Sequence, residues 1–98
     1  MTAEELLREM RNALESERAG IRRLDAEAVT QAAVTKEKLL QGLLEAPPSE
    51  RPALVAALKE LKVELRQNLL LLAHARDYLR EAVELCKSTA RTRLDAKL

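Results

Sequence analysis

Apolar residues recur along this chain at the three- and four-residue spacing of an amphipathic α-helix. Thr2 and Glu5 form the pattern of a capping box, which predicts that a first helix begins near residue 3. The apolar stripe then continues to about residue 45. It contains Ala3, Leu7, Met10, Leu14, Ile21, Leu24, Ala28, Ala32, Leu39 and Leu43, with Glu17 and Thr35 as polar members.

The middle of this first predicted helix contains two disturbing features. Gly20 costs a helix about 1 kcal/mol relative to alanine. Near Asp25 the stripe also advances by two successive steps of four, a stutter that locally unwinds a supercoil. A kink at residues 20–25 would give a three-helix arrangement, but we predict one continuous helix over residues 3–45. Glu17 is either a polar exception in the seam or close enough to its edge to reach water.

A proline-rich segment at residues 46–52, Ala-Pro-Pro-Ser-Glu-Arg-Pro, interrupts the helical pattern. Two adjacent prolines cannot continue a helix, because they lack the amide donor and restrict the preceding residue. Ser49 is the predicted N-cap of the next helix, and Pro52 is tolerable in its first turn. A second helix is therefore predicted from about residue 50 to 96.

The second helix has a regular heptad pattern, which indicates a coiled coil or a helical bundle. One seam position holds Leu58, Leu65, Leu72, Leu79 and Cys86, and the other holds Leu54, Leu61, Asn68, Ala75, Ala82 and Thr89. A buried asparagine in such a seam is most often a device that fixes the register.

Two helices of similar length joined by a short turn favour a long antiparallel hairpin in a single all-α domain. If the turn centres near residue 48, facing residues should have numbers that sum to about 96. The predicted facing pairs are Ile21 with Ala75, Leu14 with Ala82, Leu24 with Leu72, and Ala28 with Asn68.

The second helix has more apolar surface than one neighbouring helix can cover. Apolar residues flank its seam on both sides between Leu69 and Cys86, so a kinked-back segment, a second copy or a partner helix must cover part of this face. The commonest explanation of a wide stripe is a bundle core. We predict partner binding by Asn68, Leu69, Leu71, Leu72, Ala75, Tyr78, Leu79, Ala82 and Leu85. Tyr78, the only aromatic residue, is the best single anchor, although it can equally lie at a rim with its hydroxyl in water.

The composition narrows the class of protein. Apolar residues make up 47%, charged residues 34% and aromatic residues 1% of 98 residues, as expected of long helices or coiled coils. The net charge of +1 argues against a nucleic-acid-binding protein. The single cysteine excludes an intramolecular disulfide, and we expect a cytoplasmic protein without membrane insertion.

The chain has few residues that could bind a metal ion or take part in catalysis. His74 falls on the polar outer side of the second helix with no further metal ligand at suitable spacing, and Cys86 is expected to be a small buried hydrophobe. The chain has no glycine-rich phosphate loop and no nucleophile elbow. We therefore expect neither an enzyme nor a bound cofactor.

Three motifs, taken in order, resemble those of the FlgN family of bacterial flagellar export chaperones. The first is an amphipathic opening in which Leu, Met, Ala, Leu and Glu occupy positions 7, 10, 13, 14 and 15. The second is an acid-led segment at residues 25–29, followed by lysines before leucines at residues 36–43. The third is the Gln-Asn-Leu-Leu-Leu run at residues 67–71. The resemblance covers roughly residues 5–86.

The resemblance implies a cytoplasmic chaperone without chemistry of its own. FlgN-like proteins bind the C-terminal helices of the hook–filament junction proteins FlgK and FlgL, prevent their premature assembly and deliver them to the flagellar type III export apparatus. A client helix would then cover Leu71, Tyr78, Leu85 and their neighbours, and competition at the export gate would release it. The alternatives are another secretion chaperone of helical-hairpin type and a self-associating coiled-coil scaffold; a homo-oligomer is compatible with each.

Overall fold

The computed structural model describes the backbone of residues 1–97 and the side chains of residues 1–93. The chain forms four helices, α1 (Ala3–Arg22), α2 (Ala26–Glu45), α3 (Arg51–Glu60) and α4 (Lys62–Lys97), which confirms the predicted all-α class. Leu98 lies outside the described residues.

Helix α1 begins as the sequence predicts. The Thr2 hydroxyl accepts a hydrogen bond from the Glu5 amide at 3.1 Å, and the Thr2 amide donates to the Glu5 carboxylate at 3.2 Å. The reciprocal pair satisfies two donors that the helix itself leaves unpaired.

The prediction of one continuous helix over residues 3–45 is wrong, because the chain turns at residues 23–25 and α2 packs back along α1. The α1–α2 pair is therefore the antiparallel hairpin. The turn is a Schellman motif: the amide of Asp25 donates to the Gly20 carbonyl at 2.9 Å and that of Leu24 to the Ile21 carbonyl at 3.0 Å. Asp25 then caps α2 by accepting from the Ala28 amide at 3.1 Å.

Gly20 permits the two helices to approach closely beside this turn. A Cβ atom at position 20 would lie 3.1 Å from the Cβ atom of Ala28 and 3.3 Å from a methyl group of Val29. The glycine that weakens the helical pattern thus has a packing role, since any side chain there would press on α2.

The proline-rich turn joins α2 to α3. Arg51 donates from Nε to the Ala46 carbonyl at 2.9 Å and from Nη2 to the Leu44 carbonyl at 3.1 Å, so it satisfies acceptors at the end of α2. The prediction that Ser49 caps the next helix is wrong: Glu50 occupies the N-cap position without a side-chain cap, and α3 begins at Arg51.

Helices α3 and α4 replace the single predicted second helix. A tight turn at Leu61 separates them: its amide bonds to the Leu58 carbonyl at 3.1 Å, whereas its carbonyl already accepts from Leu65 at 2.9 Å. The two helices continue in nearly the same direction, because the molecule is 72 Å long and a helix of this combined length would span about 70 Å.

The chain forms three long segments: α1, α2, and α3 together with α4. Successive segments run in opposite directions, so α1 is parallel to α4. Arg11 pairs with Glu64, and the Asn68 side chain donates to the Leu14 carbonyl at 2.7 Å, so residue numbers rise together along both helices. The predicted antiparallel register is therefore wrong, since Leu14 lies beside Asn68 rather than Ala82, and Asn68 does not face Ala28. The kinked three-helix alternative describes the observed arrangement.

The hydrophobic core lies at the end of the bundle nearest the proline turn. Its buried members come from all three segments and are Leu6, Met10, Leu14, Leu39, Ala46, Leu54, Ala57 and Leu61. Leucine, methionine and alanine fill this core without any aromatic side chain. Burial along α4 decreases after Asn68, which leaves the opposite end of the bundle open.

Candidate partner-binding groove

An apolar groove occupies the open end of the bundle. Within the described residues, Cα atoms of α2 do not approach those of α4 within 8 Å, so these two helices stand apart with α1 beneath them. The groove has a volume of about 340 Å³. It is lined by Ile21, Leu24, Asp25, Ala26, Val29, Thr30, Leu72, Ala75, Arg76 and Leu79.

The floor and the walls of the groove come from different elements. Ile21 of α1 is buried and forms part of the floor. Leu24 and Val29, from the α1–α2 turn and the first turns of α2, form one wall, and Leu72 and Leu79 of α4 belong to the other. A concave surface of this kind suits an apolar side chain or the face of an amphipathic helix.

Leu24 has two energetically unfavourable properties. Its φ of 56° lies in the left-handed region, where a side chain costs about 1–2 kcal/mol. It is also 47% exposed despite being a large apolar residue. Glycine would avoid both costs at this position of a Schellman motif. A leucine here is explained if its side chain contacts a partner at the rim of the groove.

A buried polar network lies one helical turn deeper in the bundle than the groove. Lys36 of α2 pairs with the Glu17 carboxylate at 2.6 Å, and the Asn68 amide donates to the other Glu17 oxygen at 3.1 Å. Arg18 completes it by donating to the Asn68 carbonyl oxygen at 3.2 Å.

This network connects α1, α2 and α4. Glu17 is 4% exposed, so it does not lie at the edge of the seam. It does not disrupt the packing either, because both of its carboxylate oxygens have partners, Lys36 and Asn68. Asn68 acts between helices, as a register residue should, although its partners belong to the parallel helix α1. The network lies between the hydrophobic core and the open groove.

Helix α4 continues past the groove as an arm, defined here as residues 80–97. Every described side chain from residue 80 to 93 is exposed, except that of the partly buried Ala82. The heptad seam continues into the arm through Ala82 and Cys86. The prediction that Cys86 is buried is wrong, because its thiol is exposed.

The structure divides the nine predicted binding residues into three groups. Asn68 is 1% exposed and fully engaged within the bundle, so its assignment as a partner contact is wrong in this conformation. Leu72, Ala75 and Leu79 line the groove. Leu71 and Ala82 are partly buried, whereas Leu69, Tyr78 and Leu85 are 68%, 62% and 69% exposed beside the seam.

Sequence reasoning missed the other wall of the groove. Two of the predicted facing pairs, Ile21 with Ala75 and Leu24 with Leu72, do line the groove together. Neither Ile21, Leu24 nor Val29 was proposed for binding, because the turn at residues 23–25 was not predicted. The available signal was Asp25, a preferred N-cap residue, five positions after Gly20.

The described residues contain no cluster of three metal-ligating side chains. Among them, no helix combines the length and the apolar character that crossing a bilayer requires. Comparison with protein families, curated proteins and solved structures finds no match to this chain.

Proposed function

We propose that this protein is a FlgN-like export chaperone that binds the C-terminal amphipathic helix of a hook–filament junction protein through the groove and the adjoining face of α4. The single observation that carries the proposal is the unpartnered apolar face that runs from Leu72 past Tyr78 to Leu85. The ordered motifs at residues 7–15, 25–43 and 67–71 support the family assignment.

The geometry suits a helical client rather than an extended peptide. Leu72 and Leu79 are one heptad apart on one face of α4, so a helix with its own apolar stripe can pack along them. A sheet edge, which an extended strand requires, is absent from the described residues, all of which lie in helices, turns or short connections.

In the proposed mechanism the chaperone covers the apolar face of the client helix and catalyses no reaction. A client helix in the groove would bury Leu24, Leu72 and Leu79 of the chaperone. It would also bury the client's own apolar stripe, which the client needs to contact its assembly partners. Burial of a large aliphatic side chain contributes about 1.5–3 kcal/mol, so a few such contacts suffice for reversible binding. The client is then handed to the export apparatus in the cytoplasm by competition for the same stripe.

The proposal can be tested with a synthetic peptide from the C-terminal helix of a junction protein. Tyr78 is the only tyrosine and the chain has no tryptophan, so intrinsic fluorescence reports this surface directly when the peptide itself lacks aromatic residues. We expect the peptide to change the tyrosine emission and to bind measurably by calorimetry. Absence of binding by both methods would contradict the proposed function.

The binding surface is tested by Tyr78→Asp, with Val63→Asp as the matched control. Tyr78 and Val63 are both on α4 and are 62% and 64% exposed, but only Tyr78 flanks the seam. Because a buried aromatic anchor contributes about 2 kcal/mol or more, we expect Tyr78→Asp to weaken binding at least about tenfold. Equal affinities of the two variants would place the client elsewhere.

A further inference from the structure

The arm of α4 contains a seam stretch as long as the one that lines the groove at its root. The seam positions that line the groove extend from Leu72 to Leu79, and the unoccupied seam of the arm extends from Ala82 to Thr89. Each stretch advances by seven residues, or about 10 Å of helix. Both lie on the same face of α4, because the heptad pattern continues between them without a shift.

We propose that, without a client, a second copy of this chain covers the groove, in a two-fold dimer whose α4 helices pair antiparallel. The arm of each copy then lies in the groove of the other. The interface is self-complementary, as two-fold symmetry requires, and it closes after two chains. Each protein presents one protruding amphipathic helix and one open apolar groove, so the second copy supplies an occupant for both.

The side chains of the seam favour one register of this antiparallel pair. When paired residue numbers sum to 161, Leu79 faces Ala82 of the second copy and Ala75 faces its Cys86. Leu72 then faces the second copy's Thr89. Each layer places a larger side chain opposite a smaller one, which is how facing helices fill space evenly.

A parallel dimer fits less well. It would pair Leu79 with Leu79 and Ala82 with Ala82, giving alternating wide and narrow layers. It would also place each groove beside the other groove, and neither arm would fill them. The exposed surface of Leu24 on the rim would remain largely uncovered.

The proposal is tested first by the oligomeric state of the protein alone. Sedimentation equilibrium from about 1 μM to about 500 μM, a range that covers weak association, should show a monomer–dimer equilibrium. Leu79→Asp should abolish the dimer, while Val63→Asp should retain it. Leu79 is 47% exposed, so the aspartate is compatible with the fold, and unchanged helicity by circular dichroism verifies this.

The register is tested by disulfide formation, which does not depend on a destabilising substitution. In the antiparallel dimer, the two Cys86 residues are separated along the axis by about 16 Å, too far for a disulfide. Under mild oxidation the unmodified protein should therefore remain uncrosslinked, whereas Ala75→Cys should form a covalent dimer with Cys86 of the second copy. Val63→Cys serves as the control and should not crosslink.

Three results would overturn the proposal: a monomer across the concentration range, a dimer that survives Leu79→Asp, or rapid crosslinking through Cys86 alone. None requires a client, so each leaves the proposed chaperone function standing. Conversely, a dimer in the expected register that binds no junction-protein peptide would support this inference and contradict that function. If both proposals hold, client and second copy compete for the groove, and saturating peptide should dissociate the dimer.

Discussion

The Glu17–Lys36 ion pair provides the sharpest test of how the three segments are held in register. We consider Lys36→Met, which retains most of the side-chain length but removes the cation 2.6 Å from the Glu17 carboxylate. The carboxylate then stays buried, with 5% of its side chain exposed and only the Asn68 amide as a hydrogen-bond donor. Removing one member of a buried pair typically costs 3–5 kcal/mol, mainly because the remaining charge is uncompensated.

The expected cost of Lys36→Met is about 3 kcal/mol, at the lower end of that range, because the lysine side chain is 24% exposed and water screens part of the pair. Urea unfolding followed by circular dichroism measures it. With a slope of about 1.5 kcal/mol per molar urea, the midpoint should decrease by about 2 M. All variants are compared at one protein concentration, because dimerisation would shift the apparent stability.

The decisive variant is the double substitution Glu17→Gln with Lys36→Met. Glutamine retains an oxygen that accepts from Asn68 but removes the buried charge, so the double variant should be more stable than Lys36→Met alone, by about 2 kcal/mol. Glu17→Gln alone serves as the control for the loss of charge in the presence of the lysine. A double variant equal to or less stable than Lys36→Met would refute the argument, because the buried charge would then not be the source of the cost.

Substitutions at three further positions test local features of the fold by thermal or urea unfolding. Leu24→Gly should be more stable than Leu24→Ala by about 1 kcal/mol, the reverse of their order inside a helix, because φ is 56° at this position; the opposite order would contradict the Schellman turn. Thr2→Ala should cost about 1 kcal/mol through loss of the cap on the Glu5 amide, whereas Thr2→Ser should be nearly neutral. Gly20→Val should cost at least about 1–3 kcal/mol, because its side chain would press on Ala28 and Val29; a neutral result would mean that α1 and α2 are not in close contact there.

Local sequence signals predicted a helix boundary correctly where the residue type itself caps or stops a helix. Thr2 with Glu5 located the start of α1, and the adjacent prolines located the turn before α3. The turn at residues 23–25 was missed because Leu24 occupies a position where glycine is the usual signal. This one error reversed the predicted direction of α1 relative to α4, because the chain turns back twice rather than once.

Prediction of the candidate site was affected in the same way. The α4 wall could be predicted, because the heptad pattern fixes which face carries Leu72 and Leu79. The opposite wall depends on how the α1–α2 turn returns Leu24 and Val29 to α4, and periodicity within a helix carries no such tertiary information. Asn68 was predicted in the seam but opposite Ala28, because a lone polar residue in a seam does not indicate which helix provides its partners.

The position of the polar network at Asn68 divides the combined length of α3 and α4 into two parts with different physical constraints. Amide hydrogens of the part before Asn68 should exchange with solvent mainly when the bundle opens, because its buried residues Leu54, Ala57 and Leu61 belong to the same core as residues of α1 and α2. Amides of the arm lie in a helix whose side chains from residue 80 to 93 are exposed apart from that of Ala82, so they should exchange by local fraying orders of magnitude faster. The arm can accordingly be shortened or exchanged for another helical sequence with little effect on the unfolding of the bundle. In both proposals above, its sequence governs what the protein contacts rather than whether the protein folds.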